Sequence, residues 1–341
     1  MGRKILYDVL LIRILLIFLL VVYHSFAIYN GAWKPLNGFP IIESYRWIAD
    51  ISYSFMLEMF VFISGLILGF QALNKTNEFI KDISFIKKKA QRLLVPSIVF
   101  GTLYVLIFSN GFNLQSVYEI LNGIGHMWFL PMLFLCFCYI SIISRYKYSA
   151  QLLLFFCFII ALQPIPQLPF QLTKSLYYFF FFLFGYLIGC RKIAINRYIK
   201  WRYFVFLFIL YLTTSVLFHM WKYEILSGEA ILQKLLYFYV KRFNTILCAL
   251  SGLFAVYIAI NIRLSHGNFV LSEKYIKFSG YCFGIYLIQQ FILKLLYNNT
   301  MYVSFCGPYM LPIISFVITF VLSVVIVGLL MKTKIGRILI A

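Results

Sequence analysis

Long apolar runs separated by short polar connectors organise this chain from end to end. Runs of bilayer-spanning length lie at 9–29, 51–71, 93–110, 124–143, 149–163, 174–190, 202–220, 243–262, 278–298 and 309–331. The fifth is short and is cut off by Gln163-Pro164-Ile165-Pro166, while the 221–242 connector carries an apolar segment suited to an interface. Backbone polar groups in lipid must be satisfied internally, so each run predicts one helix. The expectation is an all-α, polytopic integral membrane bundle of about ten transmembrane helices, forming a single domain over 1–341. No soluble domain, repeat or low-complexity tail interrupts the pattern, so any chemistry must be housed inside the bundle.

The basic residues test that count. With the N-terminus inside, the inner connectors carry about three Lys or Arg for each one on the outer connectors, as the positive-inside rule requires. Both termini are then expected in the cytoplasm. Arg3-Lys4 ahead of the first run, and Ser25-Phe26-Ala27 after it, weakly resemble a signal peptide. The run is longer than a signal core, so it reads as an uncleaved first span.

Composition agrees: 63% of the 341 residues are hydrophobic and only 12% are charged, against about half and a quarter in soluble domains. The net charge of +20 is the signature of basic loops facing an anionic leaflet, and no nucleic-acid partner is expected. The seven cysteines show no metal-site spacing with a histidine, and Cys136 and Cys138 read as packing residues.

Against this apolar background a few ionisable residues stand out. Arg13 and His24 both lie within the first run, where a charged or titratable side chain marks a functional site. Eleven helical steps return to within about 20° of the starting face and cover roughly 16 Å. The two residues therefore share a stripe at different depths, Arg13 on the inner half and His24 on the outer half. Glu58, on the second span, falls near the depth of His24. A histidine general base with a carboxylate to orient it is the chemistry such a pair suggests; two satisfied polar groups joining helices is the plainer alternative. Arg13 suits a phosphate or carboxylate arriving from the cytoplasm. Lys89 and Arg92, three apart on one helix face, are positioned to clamp a phosphate, whereas Lys87 and Lys88 read as ordinary positive-inside residues. His126 and Trp128, and Lys294 on the ninth span, are candidates for substrate binding, with belt or snorkelling roles as the alternatives. His219 reads as an interfacial residue. There is no nucleophile elbow, P-loop or paired metal ligand, which favours direct base-assisted transfer.

These residues sit in blocks that together resemble the membrane acyltransferase 3 family. Its hallmark is a basic residue, ten positions and a histidine on the first span, matched by Arg13 and His24. Phe60-Val61-Phe62-Ile63-Ser64-Gly65 resembles the family's second-span block, and Ser64-Gly65 fits close helix packing. Lys89-Ala90-Gln91-Arg92-Leu93-Leu94-Val95-Pro96 is similar to its basic pair followed by Leu and Pro. His126-Met127-Trp128-Phe129-Leu130 and Gly284-Ile285-Tyr286-Leu287-Ile288-Gln289 resemble two later blocks. Three departures stand out. Gln289 replaces a frequent histidine and so has no acid–base role. Asp8 precedes Arg13 by five rather than three. Lys89 stands in for the more usual arginine.

The resemblance implies acyl transfer, usually of acetyl from acetyl-CoA, to a carbohydrate hydroxyl, in a bacterial cytoplasmic (inner) membrane. Acetyl-CoA (acyl-CoA) would be the donor, without a metal. Its phosphates would meet Lys89, Arg92 and Arg13, and a carbohydrate or lipid-linked glycan acceptor would meet His24 among membrane lipids. The rival is a polysaccharide or lipid-linked glycan exporter without acyl transfer. A proton-coupled transporter would show internal repeats, and none is found.

Overall fold

The computed structural model describes residues 7–74, 78–109, 111–223, 231–265 and 272–340, with no strand among them. The chain opens with α1 (Tyr7–Ser25), α2 (Glu43–Tyr53) and α3 (Met56–Asn74), followed by α4 (Glu78–Lys81), α5 (Ile83–Phe108) and α6 (Leu114–Asn122). A 3-10 turn at Gly125–Trp128 leads into α7 (Phe129–Ile143), then α8 (Ala150–Leu162) and α9 (Leu172–Gly189). The described chain ends with α10 (Trp201–Lys222), α11 (Ile231–Ser265), α12 (Glu273–Asn298), α13 (Thr300–Leu330) and α14 (Lys334–Ile340).

Among the described residues, nine stretches are long and apolar enough to cross a membrane, with α2 and α3 falling in one of them. The run expected at 149–163 is α8, an apolar helix of only 13 residues, so the described residues hold nine long spans and this one short apolar helix where about ten spans are expected. Other boundaries move for local reasons. The basic run Lys87–Arg92 is helical, because α5 starts at Ile83, where the Asp82 side chain accepts from the Ser84 N–H. The apolar part of the 221–242 connector is the beginning of α11. α13 bends at Gly307 (φ 62°, ψ 176°), so the run expected to start at 309 is its second segment. Arg3 and Lys4 lie outside the described residues.

The helices fall into two compact units, one formed by 58–195 and the other by 1–57 with 196–341. In the 58–195 unit, α3 and α9 meet backbone to backbone. Gly65 and Gly69 on α3 face Gly185 and Gly189 on α9, a small-xxx-small pair on each helix. A Cβ on Gly65 would lie 2.0 Å from the Phe182 carbonyl oxygen, and one on Gly185 2.0 Å from that of Phe62. Gly65 is thus a packing residue. Contacts ascend together along both helices, from Glu58 with Tyr177 through Phe62 with Gly185 to Gly69 with Cys190. The two helices run parallel.

The other unit is joined by side chains. α10 and α11 form a hairpin in which the Asn244 amide donates to the Thr214 carbonyl (3.0 Å). α2 is amphipathic and docks on α10 through a charged cluster. Asp50 is buried and accepts from Lys222 and from the Asn30 amide (3.2 Å). The His219 ring places Nδ1 2.9 Å from Asp50 Oδ2 and Nε2 2.7 Å from Glu43 Oε1. Trp47 stacks on the same imidazole at 3.8 Å between centroids. His219, read from its place in the sequence as an interfacial residue, is a buried cross-helix tie at the end of α10. α1 and α12 also run parallel, with contacts described below.

Candidate active site

His24 occupies the last turn of α1 and is 7% exposed. Ser25 bonds back to the Val21 carbonyl (2.8 Å), and the chain then turns through Gly31 (φ 79°). The Trp33 N–H reaches the Ala27 carbonyl (3.0 Å), which folds the loop back onto the helix end. This brings the indole against the imidazole, with centroids 5.9 Å apart and planes 18° from parallel. Tyr23 packs beside it at 5.2 Å. Tyr297 of α12 meets Trp33 edge to face at 5.9 Å and donates to the Ser25 carbonyl, which ties α12 to the end of α1.

The side chain bonded to His24 from α12 is Gln289, whose Nε2 stands 2.8 Å from His24 Nδ1. Gln289 is fully buried, and among the described residues its Oε1 has no hydrogen-bond partner. A buried acceptor left without a donor costs about 1–3 kcal/mol. Arg13 is half-buried on α1 and lies within electrostatic reach of the Cys282 sulfur on α12. Arg13 and Cys282, His24 and Gln289, and Ser25 and Tyr297 are thus successive levels of one α1/α12 seam. Lys294 is half-buried on α12, about 140° around the helix from Gln289.

The remaining candidates belong to the 58–195 unit. Glu58 is buried in the first turn of α3 and accepts from the Tyr177 hydroxyl of α9 (3.1 Å). Tyr177 packs on Tyr178 (4.9 Å), and Tyr178 on Trp128 (6.0 Å). The Lys174 ammonium sits 3.9 Å from the centre of the Trp128 ring, a cation–π contact. Glu58, Trp128 and Lys174 therefore edge one aromatic corner. His126 is buried in the 3-10 turn before α7. That turn needs Gly123 (φ 81°), where a Cβ would lie 2.5 Å from the Trp128 Cα. Lys89 is half-buried with its ammonium 4.1 Å from the centre of the Phe137 ring, and Arg92 is exposed one turn further along α5.

Two features were missed by sequence reasoning. Gln289 was set aside because an amide does not titrate, yet it is the α12 partner of His24. The Glu43/Asp50/His219/Lys222 cluster also escaped notice. Its signal was present: acids seven apart on α2 share a face, as do a histidine and a lysine three apart on α10.

The described residues thus form a multi-pass helical bundle in which a buried histidine on α1 is hydrogen-bonded from α12. A family model described as an acyltransferase domain matches residues 6–332, and the chain belongs to this acyltransferase 3 family. It is a membrane acyltransferase. No curated protein and no solved structure matches the chain.

Proposed function

We propose that this protein moves an acyl group, acetyl from acetyl-CoA, to a hydroxyl of a carbohydrate or lipid-linked glycan in a bacterial cytoplasmic membrane. The observation that carries this reading is the held imidazole: His24 is buried, stacked on Trp33 and bonded at Nδ1. Nε2 is the nitrogen that serves as general base, in the tautomer that carries the ring proton on Nδ1. It takes the proton of the acceptor hydroxyl as that oxygen attacks the thioester carbonyl. The C–S bond then breaks, and the same nitrogen returns the proton to the leaving thiolate.

Supporting roles follow from charge and surface. Arg13 is the anion-binding cation of the α1/α12 seam. In the other unit Lys89 and Arg92 supply positive charge for the coenzyme phosphates. His126, Trp128 and Lys294 are read as acceptor-binding residues, since indole and imidazole rings suit contact with sugars. Both termini are placed in the cytoplasm, on the basic-residue asymmetry.

The test is turnover of acetyl-CoA by purified protein and by His24→Ala, with mass spectrometry of surface glycans from cells with and without the protein. Loss of a general base is expected to slow thioester consumption by roughly 10²–10⁴-fold. Glycan movement that survives His24→Ala, with no thioester consumed by either protein, would overturn the reading in favour of an exporter.

A further inference from the structure

The Gln289 amide presents two different faces to one imidazole, and the structure shows only one of them in use. Amide Nε2 donates to His24 Nδ1, while Oε1 is buried and has no hydrogen-bond partner among the described residues. A neutral imidazole whose Nδ1 accepts a hydrogen bond carries its proton on Nε2. A base acting through Nε2 needs the other tautomer, with the proton on Nδ1 and an acceptor facing it. A half-turn of the Gln289 amide brings Oε1 to that position and sends Nε2 to the place Oε1 held.

We propose that Gln289 is a positioning residue that sets the tautomer of His24 by turning its amide over. This rests on His24 being the general base. In the resting arrangement the ring is Nε2–H and cannot accept a proton there. With the amide reversed, the ring is Nδ1–H and its Nε2 lone pair faces the acceptor hydroxyl. When Nε2 takes the hydroxyl proton the ring becomes an imidazolium with two N–H groups, and Oε1 accepts from Nδ1 throughout. An amide neither takes nor gives a proton. The proton collected at Nε2 is therefore not relayed onward through Nδ1, and it leaves from Nε2 to the thiolate. A carboxylate at this position would hold the imidazolium more tightly and slow that return.

The experiment is nitrogen NMR of full-length protein in lipid nanodiscs, labelled at the histidine rings, with the His24 signals identified by their absence in His24→Ala. Wild-type protein is expected to show the Nε2–H form. Gln289→Glu has no N–H to donate and is expected to convert His24 to Nδ1–H or imidazolium. Gln289→Leu is expected to lower kcat for acetyl-CoA turnover by roughly tenfold or more with KM unchanged. The His126 and His219 signals report whether each variant is folded. If Gln289→Glu perturbs folding, Gln289→Leu still tests the idea through its own His24 spectrum, which must differ from wild type. Identical His24 spectra in wild type and both variants would overturn the proposal. Full activity of His24→Ala would instead overturn the base reading, so the two failures are distinguishable.

Discussion

Two parallel helix pairs, α1/α12 and α3/α9, are built in opposite ways. Between α3 and α9 the backbones touch, and the four glycines leave no room for another carbon. Between α1 and α12 the seam is filled by Arg13, His24, Gln289 and Tyr297, whose side chains can change chemistry without moving a helix. The first pair fixes positions, and the second holds the groups to which the proposed function assigns the reaction. Gly65, in the block that resembles the family's second-span block, accordingly belongs to the scaffold.

Substitutions should separate the two pairs. Gly65→Val or Gly185→Val adds carbons where even a Cβ is 2.0 Å from a carbonyl oxygen. No monodisperse protein is expected from either by size-exclusion chromatography in detergent. A normal elution profile would break the contrast. His24→Ala is expected to reverse the pattern, with normal elution and the 10²–10⁴-fold loss of turnover expected of a missing base. Asp50→Ala tests whether polar ties elsewhere in the α1/α12 unit are structural. It strips His219 and Lys222 of a buried carboxylate, and leaving a buried polar group without its partner costs about 1–3 kcal/mol. That loss is readable as a lowered thermal midpoint. Glu43→Gln touches the same histidine from a carboxylate that is 56% exposed, and less than about 1 kcal/mol is expected.

The smallest effect is predicted at Asp82, which caps α5 in the other unit. The Ser84 hydroxyl and N–H bonds hold its carboxyl below the usual carboxylate range. A depressed folded-state pKa stabilises above the unfolded value and is lost as pH falls through the folded one. Asp82→Ala should therefore lower the thermal midpoint slightly at neutral pH, with the difference from wild type vanishing in strong acid.

Most of the spans were legible because an apolar run in lipid has one outcome. The first run at 9–29 became Tyr7–Ser25, and that at 278–298 the later part of Glu273–Asn298. The stripe linking Arg13 and His24 was legible for the same reason, since helical geometry is fixed by sequence spacing. Pairings between helices were not. That Gln289 would reach His24 across 265 positions, or that His219 would be buried against Asp50, depends on which faces meet. A hydropathy pattern carries the faces but not their partners. α8 (Ala150–Leu162) follows its expected run at 149–163 closely; hydropathy alone leaves open whether so short a helix counts as a span.

The parallel direction of the two pairs also fixes an arithmetic of crossings. Successive membrane passes alternate in direction, so parallel helices must be an even number of passes apart. From α3 to α9, the long helices α5 and α7 alone would make the separation odd. From α1 to α12 the same deficit of one arises. Both are repaired if α8 completes a pass of its own. Its 13 residues reach only about 20 Å, against a hydrocarbon core of about 30 Å. Pro164-Ile165-Pro166 continues beyond the helix without regular structure. Its two prolines have no N–H to satisfy, the Ile165 N–H bonds to the Gln163 carbonyl, and Thr173 caps the Pro166 carbonyl (2.5 Å) and the Leu168 N–H (2.9 Å). A short helix extended by a segment with few free donors is a tolerable crossing only where the bilayer is compressed. If α8 does cross, lipid headgroups beside it would dip toward the midplane, and a thinned patch of membrane would travel with the protein.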